Sequence, residues 1–358
     1  MTTLAPARLR ALRRALLRWY DAHARDLPWR RTRDPYAIWV SEVMCQQTRV
    51  ETAVPYFRRF MARFPTLADL ARAEEGEVLA LWSGLGYYRR ARMLHAGVRE
   101  VVARHGGAVP AGRAARRALP GVGPYTAGAI GSIAFGREEP AVDGNVARVL
   151  CRLALIDTPL GRADTERALW ELAGRLVVGE RPGALNQAVM ELGARVCAPR
   201  RPACDACPAR RRCGARARGA PESLPTPRPR RPPTPTPLVA VVARHRRDLF
   251  LVRSRDELYR GLWGVPVLAG SGRPRALAAL RAAELSARLE PEPRGEVEHL
   301  LSHRRLEVTV WRARAARPLG PGPRRVPSGA LDRLGVSRLT RKILEVASRR
   351  RPAGALRT

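Results

Sequence analysis

Lysine is almost absent from this chain of 358 residues, since Lys342 is the only one, and aromatic residues make up just 5%. Acidic residues are also scarce: 32 Asp and Glu stand against 66 Lys and Arg, which gives a formal net charge of +34. We attribute the preference for arginine to codon composition. The excess of positive charge still indicates a polyanionic partner, and nucleic acid is the natural one because bound cations neutralise its phosphates.

Long apolar runs are missing as well. None approaches the roughly 18 residues that a membrane span needs, and no signal peptide precedes the arginine-rich N-terminal segment. We therefore expect a soluble, intracellular protein that is cytoplasmic and associated with the nucleoid, a monomer with no membrane partner. Hydrophobic residues reach 45%, which is enough to bury a core in one large domain or two ordinary ones.

The chain has only six cysteines, and four of them are crowded into 17 residues with the spacing C-x6-C-x2-C-x5-C: Cys197, Cys204, Cys207 and Cys213. Such crowding predicts metal ligation in a reducing compartment rather than a disulfide framework. A structural zinc site usually shows two close pairs, whereas only one pair here has the short gap, so iron-sulfur is favoured and zinc stays open. We expect the other two, Cys45 and Cys151, to be buried thiols.

The stretch from Leu119 to Asn145 is predicted to hold a tight hairpin between two helices, a short one before it from Gly112 to Ala118 and a second from Tyr125 to Phe135. Its hairpin contains Gly121 and Gly123, which can adopt positive φ angles and let a partner approach closely. The second helix would then direct its N–H groups at a phosphate. The alternative is an ordinary glycine turn between packed helices. A nucleotide P-loop is excluded, because no Gly-Lys-Ser/Thr follows.

Two carboxylates stand out as candidates for catalysis. Glu42 lies on a predicted helix between apolar turns, so burial would raise its pKa, as a general acid near neutral pH requires; the alternative is a solvated helix face. Asp143 precedes a predicted helix from Val146 to Leu155, where it would cap the N-terminus. An ionised carboxylate there could also stabilise a cation, so capping and catalysis are compatible.

These segments resemble a known family. The residues from Leu119 to Gly128, LPGVGPYTAG, with Asp143 downstream, resemble the helix-hairpin-helix DNA glycosylase superfamily. The segment from Leu27 to Thr48, with LPW, DPY and WVSEVMCQQT, is similar to the opening of its adenine DNA glycosylase (MutY) family. The cysteine spacing matches the cluster signature of MutY and endonuclease III. The resemblance implies a mainly α fold, a helix-hairpin-helix glycosylase domain with an iron-sulfur cluster loop, followed by a small α+β Nudix-like domain.

The resemblance also implies roles for individual residues. Glu42 would protonate adenine at N7, and Tyr125 and Asn145 would orient the reacting groups. Asp143 would face the sugar and either stabilise the oxocarbenium-like transition state or bond briefly to the anomeric carbon. The four clustered cysteines would hold a 4Fe-4S cluster. Tyr87 would intercalate beside the lesion. The remaining expected DNA contacts in the glycosylase part are Gln46, Gln47, Thr48, Gly121, Val122 and Gly123.

Helical periodicity stops at a proline-rich segment. We expect a glycosylase domain at 1–218 (hairpin about 111–135, cluster loop 197–213), a linker at 219–237, a Nudix-like domain at 238–347 and a basic tail at 348–358. In the third part we predict strands over Leu238 to Ala243, Leu249 to Val252 and Leu306 to Trp311, and a helix over Ala276 to Leu289.

The C-terminal part resembles the Nudix fold through the glycine-tryptophan loop from Leu258 to Pro266. The glutamate cluster of Nudix hydrolases is missing, so we expect this domain to bind without hydrolysing. In the MutY family such a domain reads 8-oxoguanine through a Phe-Ser/Thr-His loop. The corresponding residues here are Leu301, Ser302 and His303, preceded by His299, and leucine replaces the aromatic ring, which predicts weaker discrimination of the lesion.

The predicted function is therefore removal of adenine mispaired with 8-oxoguanine or guanine in duplex DNA, by base flipping and without strand cleavage. Two alternatives stay open. An endonuclease III-like glycosylase and lyase would need an amine nucleophile, whose family position is occupied by Tyr125. A non-catalytic DNA-binding protein with the same hairpin would not need Glu42 and Asp143 together.

Overall fold

The computed structural model describes residues 4–227, 232–301 and 303–349. Two compact units contain them: the described residues of Met1–Ala71 with Ala96–Pro229, and those of Arg72–His95 with Arg230–Thr358. The predicted domain boundaries follow the order of the chain, whereas the second unit also takes in a segment from the N-terminal half. Those boundaries themselves stay a prediction.

The described residues of the N-terminal part are mainly helical. The helices are α1 (Pro6–His23), α2 (Pro35–Cys45), α3 (Val50–Arg63), α4 (Leu67–Arg72), α5 (Glu75–Trp82), α6 (Arg89–Arg104), α7 (Arg113–Ala118), α8 (Pro124–Ile133), α9 (Gly144–Ala154), α10 (Ala163–Val177), α11 (Pro182–Arg195) and α12 (Gly214–Ala217). Among the described residues, no helix is both long and apolar enough to cross a bilayer.

Helix α2 carries the predicted acid, Glu42, and every residue of this helix from Tyr36 to Met44 is buried. It begins at a strong local signal. The carboxylate of Asp34 accepts hydrogen bonds from the backbone N–H groups of Tyr36 (3.0 Å) and Ala37 (3.2 Å), and Pro35 occupies the first helical position. Both features favour a helix start. Because the helix is surrounded by apolar side chains, any carboxylate on it is desolvated.

The C-terminal part contains β1 (Thr234–His245), β2 (Asp248–Arg253), β3 (Trp263–Gly264), β4 (Val267–Ala269), α13 (Gly272–Ala282), β5 (Leu285–Leu289), β6 (Gly295–Leu300), β7 (Arg304–Pro318), β8 (Arg324–Pro327) and α14 (Arg338–Ser348). The strands form one sheet with the order β3-β2-β1-β7-β5, in which β1 and β7 are parallel and the other pairs are antiparallel. Alternate residues of β1 point to opposite faces: Val239 and Val241 pack with α13, and Ala240 and Val242 pack with α14.

Three predicted elements differ from the structure. The apolar spacing from Leu67 to Trp82 predicts a single helix, but the structure has two, because Glu75 and Glu77 favour a new helix N-terminus. The predicted helix over Ala276 to Leu289 ends at Ala282, and its second half is β5, which pairs with β7. Strand β1 begins at Thr234, inside the proline-rich segment, because it pairs there with Arg304. Local charge overrides the apolar periodicity of the first of these elements, and strand pairing overrides the periodicity of the second and the proline content of the third.

Candidate active site

Glu42 lies on α2 and meets Tyr125, which stands in the first turn of α8. The Tyr125 hydroxyl donates a hydrogen bond of 2.5 Å to the Glu42 carboxylate. Burial raises the pKa of Glu42 to about 7, and the negative charge of Asp143 adds to the rise, while the Tyr125 hydrogen bond acts in the opposite direction. A carboxyl with this pKa is partly protonated near neutral pH, as a general acid must be.

Asp143 is the N-cap of α9, as the sequence predicts. Its Oδ1 accepts a hydrogen bond of 2.7 Å from the backbone N–H of Val146, and its Oδ2 accepts one of 3.0 Å from the Asn145 side chain. Asn145 is held in turn by Arg148, whose Nη2 donates to Oδ1 over 2.8 Å. These bonds fix the orientation of the Asp143 carboxylate.

The four predicted catalytic residues line a single cavity of about 150 Å³. They are Glu42, Tyr125, Asp143 and Asn145, and the predicted DNA contact Thr48 lines the same cavity. Since α2, α8 and the start of α9 are distant in sequence, only the fold brings these groups together. Two carboxyl groups, one of which has its pKa raised to about 7, thus share one small cavity. Acid-assisted cleavage of a glycosidic bond uses such a pair.

Three charged residues that were not predicted from the sequence also line this cavity: Arg25, Arg30 and Glu191. Glu191 lies on α11 with its side chain 1% exposed, and it accepts hydrogen bonds from Arg25 (2.7 and 2.9 Å) and Arg30 (2.8 Å). Burial would raise its pKa, but the two guanidinium groups outweigh it and bring the pKa to about 2. The signal that identified Glu42, a carboxylate between apolar turns, was present at Glu191 too.

The predicted hairpin lies between α7 and α8. Gly121 adopts a φ of 75°, as predicted, whereas Gly123 has a φ of −81° and is the N-cap of α8. A side-chain Cβ at Gly123 would meet nothing within 4 Å. Neither backbone conformation nor packing within the protein therefore requires glycine at that position. Val122, between the two glycines, is buried and anchors the turn.

A buried arginine joins this hairpin to the segment that leads to Asp143. Arg116 on α7 is 0% exposed, and its Nη2 donates hydrogen bonds of 2.6 and 2.7 Å to Glu139. Its Nε donates to the carbonyl of Ala127 on α8 over 3.2 Å, and its Nη1 to that of Ala111 over 2.6 Å. One guanidinium thus connects α7, α8 and the segment four residues before Asp143.

The two predicted glutamine contacts lie just after α2. Gln46 is the C-cap of the helix, and its side-chain amide donates a hydrogen bond of 3.3 Å to the Thr126 hydroxyl on α8. Gln47 adopts a positive φ of 55°. Neither side chain lines the cavity described above. The two glutamines therefore do not belong to the cavity wall that contains the four predicted catalytic residues.

The four clustered cysteines lie in the first unit, each partly exposed. Burial raises the pKa of Cys207 to about 11, and the nearby Cys197, Cys213 and Cys204 contribute to the rise. No group of three or more metal-ligating side chains is close enough to form a metal site in the described part of the chain. The four thiols nevertheless are the kind of ligand that an iron-sulfur cluster uses. The buried Arg152 donates to the sulfur of Cys197 over 3.2 Å.

The predicted C-terminal contacts and Tyr87 belong to the second unit. Leu301 packs against the core on the α14 side of the sheet, whereas its neighbour Leu300 is 63% exposed. His303 is exposed and His299 is half-buried. Burial lowers the pKa of His299, and so do the positive charges of two residues on α14, Lys342 and Arg338. Ser302 lies outside the described residues.

Of the two remaining cysteines, Cys151 is buried, whereas Cys45 is partly exposed and lines the cavity. The expectation of a buried thiol is therefore confirmed for Cys151 and wrong for Cys45. Cys45 is the last residue of α2, where the helix reaches the cavity wall.

Comparison with known proteins identifies both parts of the chain. Residues 40–175 match the model of the HhH-GPD superfamily of base excision DNA repair proteins, and residues 238–346 match that of the NUDIX domain. A human protein named adenine DNA glycosylase is 51% identical over 227 residues, which cover 61% of this chain and 42% of that protein. An Arabidopsis thaliana protein of the same name is 44% identical over 230 residues, 57% of this chain and 36% of that protein.

A solved structure described as a thermostable thymine-DNA glycosylase is 31% identical to this chain, with a TM-score of 0.53. The match covers 59% of this chain and 98% of that chain. The chain spans about half the length of the curated relatives it matches.

Proposed function

This chain belongs to the HhH-GPD superfamily of base excision DNA repair proteins and carries a Nudix-like C-terminal domain, and on that premise we propose that it is an adenine DNA glycosylase. Its substrate would be duplex DNA with adenine opposite 8-oxoguanine or guanine, inside the cell. The observation that carries the proposal is the cavity shared by Glu42, Tyr125 and Asp143. Names of relatives alone would not assign chemistry to these residues.

In the proposed mechanism, the adenine leaves the base stack and enters the cavity. Glu42 donates its proton to N7 of the base, which makes the base a better leaving group. Asp143, oriented by hydrogen bonds from Val146 and Asn145, stabilises the positive charge that develops on the sugar. Tyr125 fixes the Glu42 carboxyl by the hydrogen bond between them. Water then completes hydrolysis at the sugar carbon.

The hairpin would bind one DNA strand. Gly121 adopts a positive φ, which favours glycine. Gly123 has open space where a side chain would be, so a phosphate could approach the backbone closely there. The first turn of α8 has no acidic side chain to repel that phosphate. Arg195, Arg200 and Arg201 are exposed near the first clustered cysteine and would add phosphate contacts.

We propose that Cys197, Cys204, Cys207 and Cys213 hold a 4Fe-4S cluster. When bound, such a cluster would fix the fold of the loop between these residues, which carries several of the exposed arginines. Iron and acid-labile sulfide, each measured per chain after anaerobic purification, test this assignment. Four of each would support it, while one zinc and no sulfide would assign a zinc site instead.

A decisive experiment measures single-turnover release of adenine opposite 8-oxoguanine, guanine or thymine, and of thymine opposite guanine, each with and without alkali. Adenine release with nicking only after alkali is the expected result. Cleavage without alkali would contradict a monofunctional enzyme; a lyase would be unexpected because no lysine precedes Lys342. Release of thymine but not adenine would favour the activity named for the solved relative.

The variant Glu42→Gln tests the acid within the same assay. It should lose base release by at least about a hundredfold, because general acid catalysis contributes roughly that much or more, while duplex binding persists. The matched control is Glu345→Gln, which makes the same change at a side chain on α14 that is 66% exposed. Equal loss in both variants, or none in Glu42→Gln, would remove Glu42 from the proposed mechanism.

A further inference from the structure

The loop between α5 and α6, residues Ser83–Tyr88, presents an aromatic ring to solvent. The Tyr87 side chain is 50% exposed, and the residue has a positive φ of 47°. Gly84 and Gly86 also have positive φ angles, of 103° and 71°. A bulky residue rarely adopts this conformation, and when it does, the surrounding structure must hold it there. Two sets of contacts hold the Tyr87 loop in place.

One support comes from the start of α6. The Arg90 guanidinium lies 5.5 Å from the Trp82 ring and 5.6 Å from the Tyr87 ring. Its Nη2 donates hydrogen bonds to the carbonyls of Leu85 (3.3 Å) and Gly86 (3.2 Å). Arg90 thus contacts the loop backbone and the exposed ring at once, a local arrangement that the helix supplies by itself.

The second support comes from the C-terminal fold. The carbonyl oxygen of Val336, just before α14, accepts hydrogen bonds from the Ser83 hydroxyl (2.8 Å) and the Tyr88 hydroxyl (3.0 Å). These two donors lie at the two ends of the loop that carries Tyr87. The Val336 segment is itself attached to the sheet, because the N–H of Trp263 donates to the carbonyl of Gly335 over 2.8 Å. All these residues belong to one compact unit.

We propose that the Val336 carbonyl, by binding Ser83 and Tyr88, makes the Nudix-like fold a positioning element for Tyr87, so that presentation of this ring to DNA depends on the C-terminal fold. The inference rests on the proposed function, in which Tyr87 contacts DNA. It assigns the Nudix-like fold a second task besides reading the lesion. Ser83 and Tyr88 are then positioning residues, and they do not touch the reacting atoms.

The test begins with the double variant Ser83→Ala/Tyr88→Phe, which removes both hydroxyl donors and keeps the carbon skeletons. The matched control is Tyr36→Phe, because the Tyr36 hydroxyl also donates to a backbone carbonyl, that of Phe64, over 2.9 Å. Single-turnover adenine release opposite 8-oxoguanine should fall at least about tenfold in the double variant, the factor that two lost hydrogen bonds can produce. Because Tyr88→Phe also removes an acceptor of the Gly84 N–H at 3.3 Å, the single variant Ser83→Ala, which loses only its bond to Val336, should show part of the fall by itself. The control should keep the wild-type rate, even if its melting temperature falls.

A second arm distinguishes positioning from general destabilisation. In a Tyr87→Ala background the ring is gone, so the Ser83→Ala/Tyr88→Phe change should have no further effect on the rate. Hydrogen exchange at residues 83–88 should be faster in the double variant than in the control. A wild-type rate in the double variant, or a full additional loss in the Tyr87→Ala background, would overturn the inference. Absence of adenine release by the wild-type protein would instead overturn the proposed function.

Discussion

Glu42 shows how a side chain acquires an acid's pKa from its surroundings. Burial on α2 favours the neutral carboxyl and dominates the shift to about 7. Asp143 adds to this effect by charge, while Tyr125 opposes it by donating a hydrogen bond to the ionised form. The protonated fraction of Glu42 therefore falls as the pH rises through about 7, and a rate that needs this proton should fall with it.

The variant Tyr125→Phe tests that balance. It removes a hydrogen bond that lowers the pKa of Glu42, so the pKa should rise and the basic limb of the pH-rate profile should move to higher pH. Single-turnover base release measured from about pH 5 to about pH 9 would show the displacement. Tyr20→Phe is the control, because the Tyr20 hydroxyl donates to Gln187 instead. An unmoved limb in Tyr125→Phe would mean that Glu42 does not set it.

At the scale of elements, α8 carries Tyr125 and packs closely on the segment that leads to Asp143. A Cβ at Gly128 would lie 1.9 Å from the carbonyl oxygen of Pro140, and one at Gly131 would lie 2.4 Å from a Glu139 oxygen. These glycines therefore permit a separation that any side chain would prevent. Together with the Arg116 hydrogen bonds, they fix α8 relative to the start of α9.

Gly128→Ala should consequently force α8 away from Pro140. We expect it to destabilise the protein by about 2 kcal/mol, as overpacking of a core does, and to lower base release by increasing the separation of Tyr125 from Asp143. The control is Gly174→Ala on α10, where a Cβ meets nothing within 4 Å and helix propensity should add about 0.5–1 kcal/mol. Thermal unfolding and single-turnover release measure the two effects. Equal melting temperatures for the two variants would contradict this account of α8.

At the scale of the whole molecule, the formal charge of +34 should dominate nonspecific binding to DNA. If six to ten phosphates are contacted, affinity for undamaged duplex should fall by roughly 10³ to 10⁵ between about 50 and 200 mM salt. Arg200→Gln should reduce the slope of log affinity against log salt by about one. Arg349→Gln should not, because Glu345 already neutralises that guanidinium at 3.1 Å. Identical slopes in the two variants would exclude the cluster loop from phosphate contact.

Local chemistry explains which features the sequence could predict. The cap formed by Asp143 was predictable because the side chain and the N–H group it accepts from are three residues apart. The bond between Tyr125 and Glu42 was not, since 83 residues separate them and only the packing of α2 on α8 brings them together. Glu191 lies between apolar turns, as Glu42 does, but the sequence does not reveal that Arg25 and Arg30 surround its carboxylate.

Strand pairing explains the errors in the C-terminal half. The apolar residues between Ala276 and Leu289 fit a helix, but β5 gains a partner in β7, and no local pattern encodes that choice. The inclusion of Arg72–His95 in the second unit was equally hidden, because it depends on contacts such as that between Ser83 and Val336. Residue patterns pointed to Glu42, Asp143 and the clustered cysteines, and the family resemblance added roles for others, but only the fold determines which groups become their neighbours.

Lys342 on α14, whose ammonium donates a hydrogen bond of 2.9 Å to the Glu298 carbonyl, gives the molecule an unusual practical property. As the chain's only lysine, it is the one side chain that an amine-selective reagent can acylate. Once the α-amino group, which reacts first near neutral pH because of its lower pKa, has been blocked with an unlabelled reagent, a fluorophore coupled to Lys342 would label the C-terminal half at one defined position without any engineered cysteine near the thiol-rich loop. Energy transfer from that dye to labelled duplexes could then follow the Nudix-like fold as it meets DNA.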